Sequence, residues 1–400
     1  MRAFIKKLIS VVFIAVIVIS AAVAVNLGRN FLVDTVTELS DEPPEKITDA
    51  GSPYKHYYDD LENIEKQVYN RIITQIYGMP ERIRIPFIDI EQLDKVFTAL
   101  LYDNPDLFFV ARRCSIVTRL SGTYCAIDYL MTAEEYAKQK LELDAVCDEV
   151  IASLEGVEDP WQKELRIHDY IVDNCKYVHV EGELTYSSSY GALVNGEAAC
   201  EGYTKAMKLL LDKAGIESGI VSGVVDDPNG EPGNHMWNVV KLGDDFYHTD
   251  CTWNDPLSDT GEQIKLYAYF NLSDEVISRT HSDFSKEFGC GSMAENYYVK
   301  TGSYFETYAQ ADVKSLAEAV AKTLDRGEKD IQFRFGSKKA YSDAFEDLIT
   351  NGRIYDVLAK AKNKTSAVFS TDSLVYYKDK EQCVINFTLN VTGRYELTNG

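Results

Sequence analysis

The 400 residues include eight cysteines but no Cys-x-x-Cys pair, and six histidines but no His-Glu-x-x-His. Those absences argue against zinc ribbons, thioredoxin-type redox centres and helix-borne zinc hydrolases. No metal site and no cofactor is indicated. Basic charge is also short: 41 Lys and Arg face 63 Asp and Glu, leaving −22. Such a surface repels phosphate backbones, so nucleic acid is not an expected partner. Anionic headgroups and wall polyanions are repelled as well, whereas basic proteins and peptides are attracted. No internal repeat and no low-complexity tract is found. The hydrophobic share of 45% and aromatic share of 12% exclude global disorder. At roughly 100–200 residues per domain, the length predicts two or three units.

One long apolar run is present, and it sets the expected address. Arg2, Lys6 and Lys7 precede residues 8–25, which carry no charge. Eighteen helical residues span about 27 Å, just enough for the hydrocarbon core of a bilayer. The basic flank should stay cytoplasmic and everything after Asn26 should be exported. Residues 1–25 are therefore expected to be a transmembrane anchor, with a signal peptide cleaved near Ala24 as the alternative, since Ala22-Val23-Ala24 has the small-residue spacing of such a site. The expected localisation is the cell membrane with an extracytoplasmic catalytic region, or secretion after cleavage.

Residues 26–53 lack periodicity and hold Pro43, Pro44 and Pro53, which is linker chemistry. Residues 54–155 are expected to form an N-terminal α+β unit: helices over 58–77 and 90–101, strands over 107–111, 115–120 and 123–130, then a helix over 133–154. Residues 156–297 form the expected catalytic domain, with helices over 161–174 and 199–214 and strands over 221–225, 235–242 and 246–253. Residues 298–400 read as a C-terminal α+β accessory domain without a chemical motif. Its helices are expected over 313–324, 339–350 and 354–362, and its strands over 331–335, 367–370, 374–377 and 383–389.

The chemistry concentrates between Cys200 and Asp250. Cys200 lies in Asn195-Gly196-Glu197-Ala198-Ala199-Cys200-Glu201-Gly202-Tyr203, where a glycine-containing loop turns into a helix. A thiol in a first helical turn faces unpaired N–H groups and the positive end of the helix dipole, both of which favour the thiolate. Gly202 is expected to leave room for a substrate. Farther on, Gly243-Asp244 reads as a two-residue hairpin turn closed by Leu242 and Asp245. Counting back along that register sets His235 and Asp250 diagonally on one face, about 7–8 Å apart at Cα. A slip of one residue would separate them. A thiol that attacks carbonyls needs a base within reach, and the base needs a third group to fix its tautomer. Cys200, His235 and Asp250 fit those tasks in order, and asparagine at 250 is expected still to orient the ring. Trp237 and His248 share the face of the pair, Trp237 as a shield against water or as a core residue and His248 as a structural histidine, and Cys251 points away to be buried. Taken singly, each feature has a structural reading; together they suggest one site.

The blocks Tyr190-Gly191-Ala192-Leu193-Val194-Asn195-Gly196, Cys200-Glu201-Gly202-Tyr203, His235-Met236-Trp237-Asn238-Val239-Val240 and Tyr247-His248-Thr249-Asp250-Cys251-Thr252-Trp253 resemble the transglutaminase-like superfamily, closest to its bacterial secreted or membrane-anchored members. The resemblance covers about residues 161–256; Ala199 stands where many members carry a bulkier β-branched residue. It implies an α+β, papain-like cysteine-enzyme core with Cys200 as nucleophile, His235 as base and Asp250 as its orienting partner. Amide bonds of proteins or peptides would be attacked through a thioester, with hydrolysis slightly favoured over cross-linking. Such chemistry requires an oxyanion hole, half of it the Cys200 N–H and the other half assigned to Tyr190. The expected partner is a protein or peptide substrate, basic or associated with the cell wall, besides the membrane itself. A non-catalytic cell-surface binding module on the same fold is the alternative.

Overall fold

A computed structural model describes residues 52–180, 182–226, 232–256 and 264–394. The apolar run of residues 8–25 and nearly all of the linker lie outside the described residues. Among the described residues, no helix is long and apolar enough to cross a membrane. The fold is α+β and divides into two compact units.

The first unit comprises Lys55–Asp103 and Phe109–Ala133. Helix α1 (Asn63–Ile76) starts at a reciprocal capping box, in which Glu62 N donates to Glu65 Oε2 at 2.9 Å. Its apolar stripe of Val68, Ile72, Ile73 and Ile76 is buried. Strand β1 (Arg82–Ile85), helix α2 (Ile90–Asp103) and strands β2 (Val110–Arg119) and β3 (Gly122–Tyr129) complete it. The strands form an antiparallel sheet in the order β1-β3-β2. Strand β1 escaped the sequence reading because only Ile83 and Ile85 mark its inner face. The β2–β3 turn falls at Leu120-Ser121, one residue earlier than expected, since Arg119 pairs with Gly122.

The second unit comprises Ser52–Tyr54, Asn104–Phe108 and the chain from Glu134 onward. Residues 156–297 and 298–400 thus fall within one compact unit, together with most of helix α3 (Ala133–Ala152). Helix α4 (Pro160–Asn174) begins with Pro160 in its first turn and Asp159 capping Trp161 N at 3.1 Å. Two residue pairs, β4 (Lys176–Tyr177) and β5 (Glu197–Ala198), run parallel just before helix α5 (Cys200–Lys213). Helix α5 packs on a sheet of β6 (Ser218–Asp226), β7 (Pro232–Leu242), β8 (Asp245–Thr249) and β9 (His281–Ser282), ordered β8-β7-β6-β9.

Farther along the chain come β10 (Tyr304–Phe305), α6 (Val313–Asp325), β11 (Asp330–Phe335), α7 (Lys338–Phe345), α8 (Ile354–Ala361), β12 (Ala367–Asp379) and β13 (Val384–Arg394). Their sheet, ordered β10-β11-β13-β12, packs its inner face against α6 and α8 through Leu316, Val320, Val357, Phe333 and Phe387. The two strands expected over 367–377 are one strand with a broken register between Ser370 and Val375. This layer is fastened to the layer of α4, α5 and the β8-β7-β6-β9 sheet. Val384 sits in a core with Trp161, Tyr267 and Phe270. The buried Arg334 guanidinium donates to Ala268 O at 2.9 Å and to Gln382 Oε1 at 2.7 Å. Removing either acceptor would strand a buried charge-bearing donor.

Candidate active site

Cys200 is the first residue of α5. Gly196 adopts φ 69°, which turns the chain into β5, and Ala199 is extended at φ −84°, ψ 177°. Ala199 N donates to Tyr186 O at 2.9 Å, fixing the approach to the helix. The Cys200 N–H lies in the first turn, where helical geometry supplies it no acceptor. Cys200 itself is half-buried. Gly202 has a different job from the one expected. A Cβ there would stand 2.5 Å from Tyr186 O and 2.7 Å from the Ala198 methyl carbon, so glycine lets the preceding loop close on the helix and leaves no opening for a substrate. Thr204 Oγ1 lies 2.8 Å from Cys200 O and 2.9 Å from Met236 O, and Asn238 Nδ2 donates to Thr204 O at 3.0 Å. These bonds tie the helix that carries Cys200 to the strand that carries His235.

The β7–β8 hairpin takes the expected register. Gly243 turns at φ 64°, Leu242 pairs with Asp245, and the ladder runs back to Asn238 opposite Thr249. Strand β8 then stops four residues short of the expected end, because Asp250 N leaves the ladder to donate to Tyr269 O at 2.9 Å. The departure places the Asp250 carboxylate under His235. His235 Nε2 donates to Asp250 Oδ2 at 2.7 Å, and both side chains are buried. That bond leaves Nδ1 as the other ring nitrogen, and Cys200 is among the groups that act on the ring. Cys200, His235 and Asp250 are therefore brought together.

Asp250 is bonded on both oxygens. Oδ1 accepts from Thr252 N at 2.9 Å and Trp253 N at 3.2 Å. Oδ2 accepts from His235 and from a second imidazole, His281 Nε2, at 3.1 Å. Burial by itself would push the Asp250 carboxyl up; the His235 charge and the bonds from His235 and His281 outweigh it and hold the group well below the usual carboxylate range. Burial likewise opposes a charge on His235, yet the facing Asp250 carboxylate, and then Cys200, lift it well above the usual imidazole range.

Other residues take supporting places. Trp237 is fully buried and donates its indole N–H to His248 Nδ1 at 2.9 Å; His248 Nε2 donates in turn to Asp274 Oδ1 at 2.8 Å. The Trp237 and His235 rings stack with centroids 5.9 Å apart. Cys251 is buried, as expected from alternation. Tyr190 does not take up the position expected of it. Its hydroxyl donates to Glu142 Oε2 at 2.6 Å and its ring stacks on Phe108 at 5.5 Å, so that hydroxyl is committed to a carboxylate on α3. Burial first, then Cys200 and Asp250, push the phenol of Tyr177 on β4 up.

Two groups hold three potential ligands within 4.8 Å of one another: His235, Asp250 and His281, and His248, Asp274 and Cys290. Hydrogen bonding accounts for both. The first group spends both Nε2–H donors on the carboxylate. In the second, Trp237 donates to His248 Nδ1, so a metal on Nε2 would demand an imidazolate. Burial also pushes the Cys290 thiol up to about 12. His281 was missed from sequence because it lies 31 residues beyond its partner, in a two-residue strand. Glu164 was missed as well: buried on α4, it receives Asn271 Nδ2 at 2.9 Å and lies 3.1 Å from the hydroxyl of Thr249, next to Asp250.

Residues 148–251 match the transglutaminase-like superfamily. No curated protein matches the chain. Among solved structures, a TGase is 13% identical at a TM-score of 0.25, over 41% of this chain and 48% of that one. A candidate cysteine protease from Cytophaga hutchinsonii is 13% identical at 0.24, over 38% and 65%. A candidate protease from Parabacteroides distasonis ATCC 8503 is 11% identical at 0.22, over 37% and 34%. The chain spans less than two thirds of each, and likeness at this level does not bear on activity. Residues 148–251 are thus similar to the transglutaminase-like superfamily, and the fold around them is α+β.

Proposed function

We propose that the chain is an exported thiol acyltransferase acting on amide bonds of proteins or peptides, with Cys200 as nucleophile, His235 as base and Asp250 as the group that orients it. The 2.7 Å bond from the buried His235 ring to the buried Asp250 carboxylate, on a ring that Cys200 also influences, is the observation that supports the reading best. The facing Asp250 carboxylate favours a charged His235 ring, so His235 is placed to take the proton of Cys200. The sulfur then attacks the amide carbonyl carbon. The Cys200 N–H, free of a helical acceptor, is half of the expected oxyanion hole. As the tetrahedral intermediate collapses, His235 returns the proton to the leaving amine, the C–N bond breaks and a thioester remains. A second nucleophile loses its proton to His235 and attacks the thioester, freeing the Cys200 sulfur.

Water as that nucleophile gives an acid; a primary amine gives a new amide. Hydrolysis is favoured, because Cys200 is half-exposed and water is always present. The deciding experiment supplies the full-length chain with a glutamine-containing peptide, with and without a primary amine. Mass spectrometry then distinguishes glutamate or a cleaved peptide from an amine adduct. Product formation that persists undiminished in Cys200→Ala would refute the mechanism whichever product is seen.

A further inference from the structure

His281 has no part in the three-residue arrangement, yet it bonds the same oxygen of Asp250 as the base does. Its Nε2 lies 3.1 Å from the same oxygen, Oδ2, that receives His235 at 2.7 Å. The ring is buried, and its backbone is held by the pairing of His281 with Val225 across β9 and β6. Its other nitrogen, Nδ1, lies 2.9 Å from Thr280 Oγ1. An ionised carboxylate only accepts, so Nε2 must carry a proton; burial disfavours a charge on the ring, which leaves Nδ1 to accept from the Thr280 hydroxyl. The ring is thus a neutral donor of fixed tautomer. The titratable groups around it are Asp250, His235 and His248, with Tyr269 at 5.7 Å between ring centroids and Asp379 behind the Tyr269 hydroxyl. Trp237 and Trp253 close the remaining sides at 4.7 and 5.0 Å.

We propose that His281 is a positioning residue of the same site, whose Nε2–H holds Asp250 Oδ2 in place as a permanently ionised acceptor for His235. The inference rests on the triad reading above. Two backbone amides on Oδ1 and two imidazoles on Oδ2 give Asp250 four donors, which leaves no lone pair for a proton. A hydrogen bond to the charged form favours that form. Without the His281 donor, this buried carboxylate takes up a proton at higher pH. A protonated Asp250 no longer balances the imidazolium, and the reactive pair of thiolate and imidazolium is lost with it. Burial of the His281 ring by itself lowers its own affinity for protons, which keeps it neutral in its role.

The test follows carboxamidomethylation of the Cys200 peptide against pH in the full-length chain. Wild type, His281→Leu, His281→Gln and His235→Ala are compared. Glutamine can place an amide N–H near the position of Nε2; leucine cannot. The acid limb of the rate profile should move up by about 1–2 pH units in His281→Leu. Glutamine should return it to within about half a unit of wild type. A purely structural histidine would lower the melting temperature in both variants and leave the limb where it is. Superposition of the His281→Leu limb on wild type, or equal shifts for leucine and glutamine, overturns the proposal while leaving the triad standing. Superposition of His235→Ala on wild type would overturn the triad reading, and the role of His281 with it.

Discussion

His235 and Asp250 meet through Nε2 and Oδ2 at 2.7 Å, in a site where every neighbour of the carboxylate is a donor. That relationship decides what asparagine would do. The amide of Asp250→Asn must turn its NH2 either toward Thr252 N and Trp253 N or toward the two imidazoles. Either way donors face a donor, and a buried polar group left unsatisfied costs about 1–3 kcal/mol. Sequence alone suggested that asparagine would keep the ring oriented; the surrounding donors reverse that expectation. Asp250→Asn should therefore lose turnover as severely as Asp250→Ala, by about 10²-fold or more. Steady-state rates on any processed peptide check this. An intermediate loss in the asparagine variant would mean the four donors are not all required.

Glu164, Thr249 and Asn271 close a ring of hydrogen bonds one residue from Asp250. Burial pushes the Glu164 carboxyl from 4.5 up to about 8, against the bonds from Asn271 and Thr249. A neutral carboxyl suits the ring, because its proton can go to Thr249 Oγ1, whose own proton then goes to Asn271 Oδ1. A folded-state value above the unfolded one gives stability that is full below pH 4.5 and is lost as pH rises through about 8. Glu164→Gln preserves the donor and acceptor without the ionisation. Thermal melts should show the variant holding several degrees more than wild type at pH 9 than it does at pH 5. Parallel decline of the two proteins would contradict a neutral Glu164.

Tyr190 supplies a control close to the site. Tyr190→Phe removes the bond to Glu142 Oε2 and should cost about 0.5–1.5 kcal/mol of stability. Labelling of Cys200 and turnover should stay within about twofold of wild type. A large loss of turnover with unchanged affinity for substrate would restore the hydroxyl to a catalytic role.

Legibility in the sequence followed how local each determinant is. Gly243 fixes the hairpin turn, the turn fixes the register, and the register brings His235 to Asp250; each step spans a few residues. The helix start at Cys200 was readable for the same reason. His281 and Glu164 reach the site from β9 and α4 through tertiary packing, and neither neighbourhood carries a motif. Gly202 suggests space for substrate in the sequence, because a missing side chain does not say which neighbour fills the gap. Tyr190 lies within the matched blocks, but its partner Glu142 is 48 residues upstream on α3. In the last hundred residues, periodicity marked most helices and strands, whereas their fusion to the catalytic layer through Arg334 and Val384 left no pattern.

The expected address has its own test. The uncharged run at residues 8–25, behind Arg2, Lys6 and Lys7, should keep the protein in the membrane fraction with residues after Asn26 outside. Protease added to intact cells should degrade the catalytic unit and spare a small N-terminal fragment. A mature protein in the medium beginning at Val25 would replace the anchor with a cleaved signal. Full protection, with the protein in the soluble cytoplasmic fraction, would contradict export.

The central claim is that Cys200 is the nucleophile and owes its reactivity to His235. Of the eight cysteines, Cys114 and Cys200 are half-buried and the other six are buried. The most direct measurement treats the native full-length chain with an amide-mimicking thiol probe at neutral pH and maps the adduct by peptide mass spectrometry. One adduct should form at Cys200, disappear in Cys200→Ala, and slow by about 10²-fold or more in His235→Ala. Labelling that falls on Cys114 instead, or that proceeds on Cys200 at the same rate without His235, would contradict it.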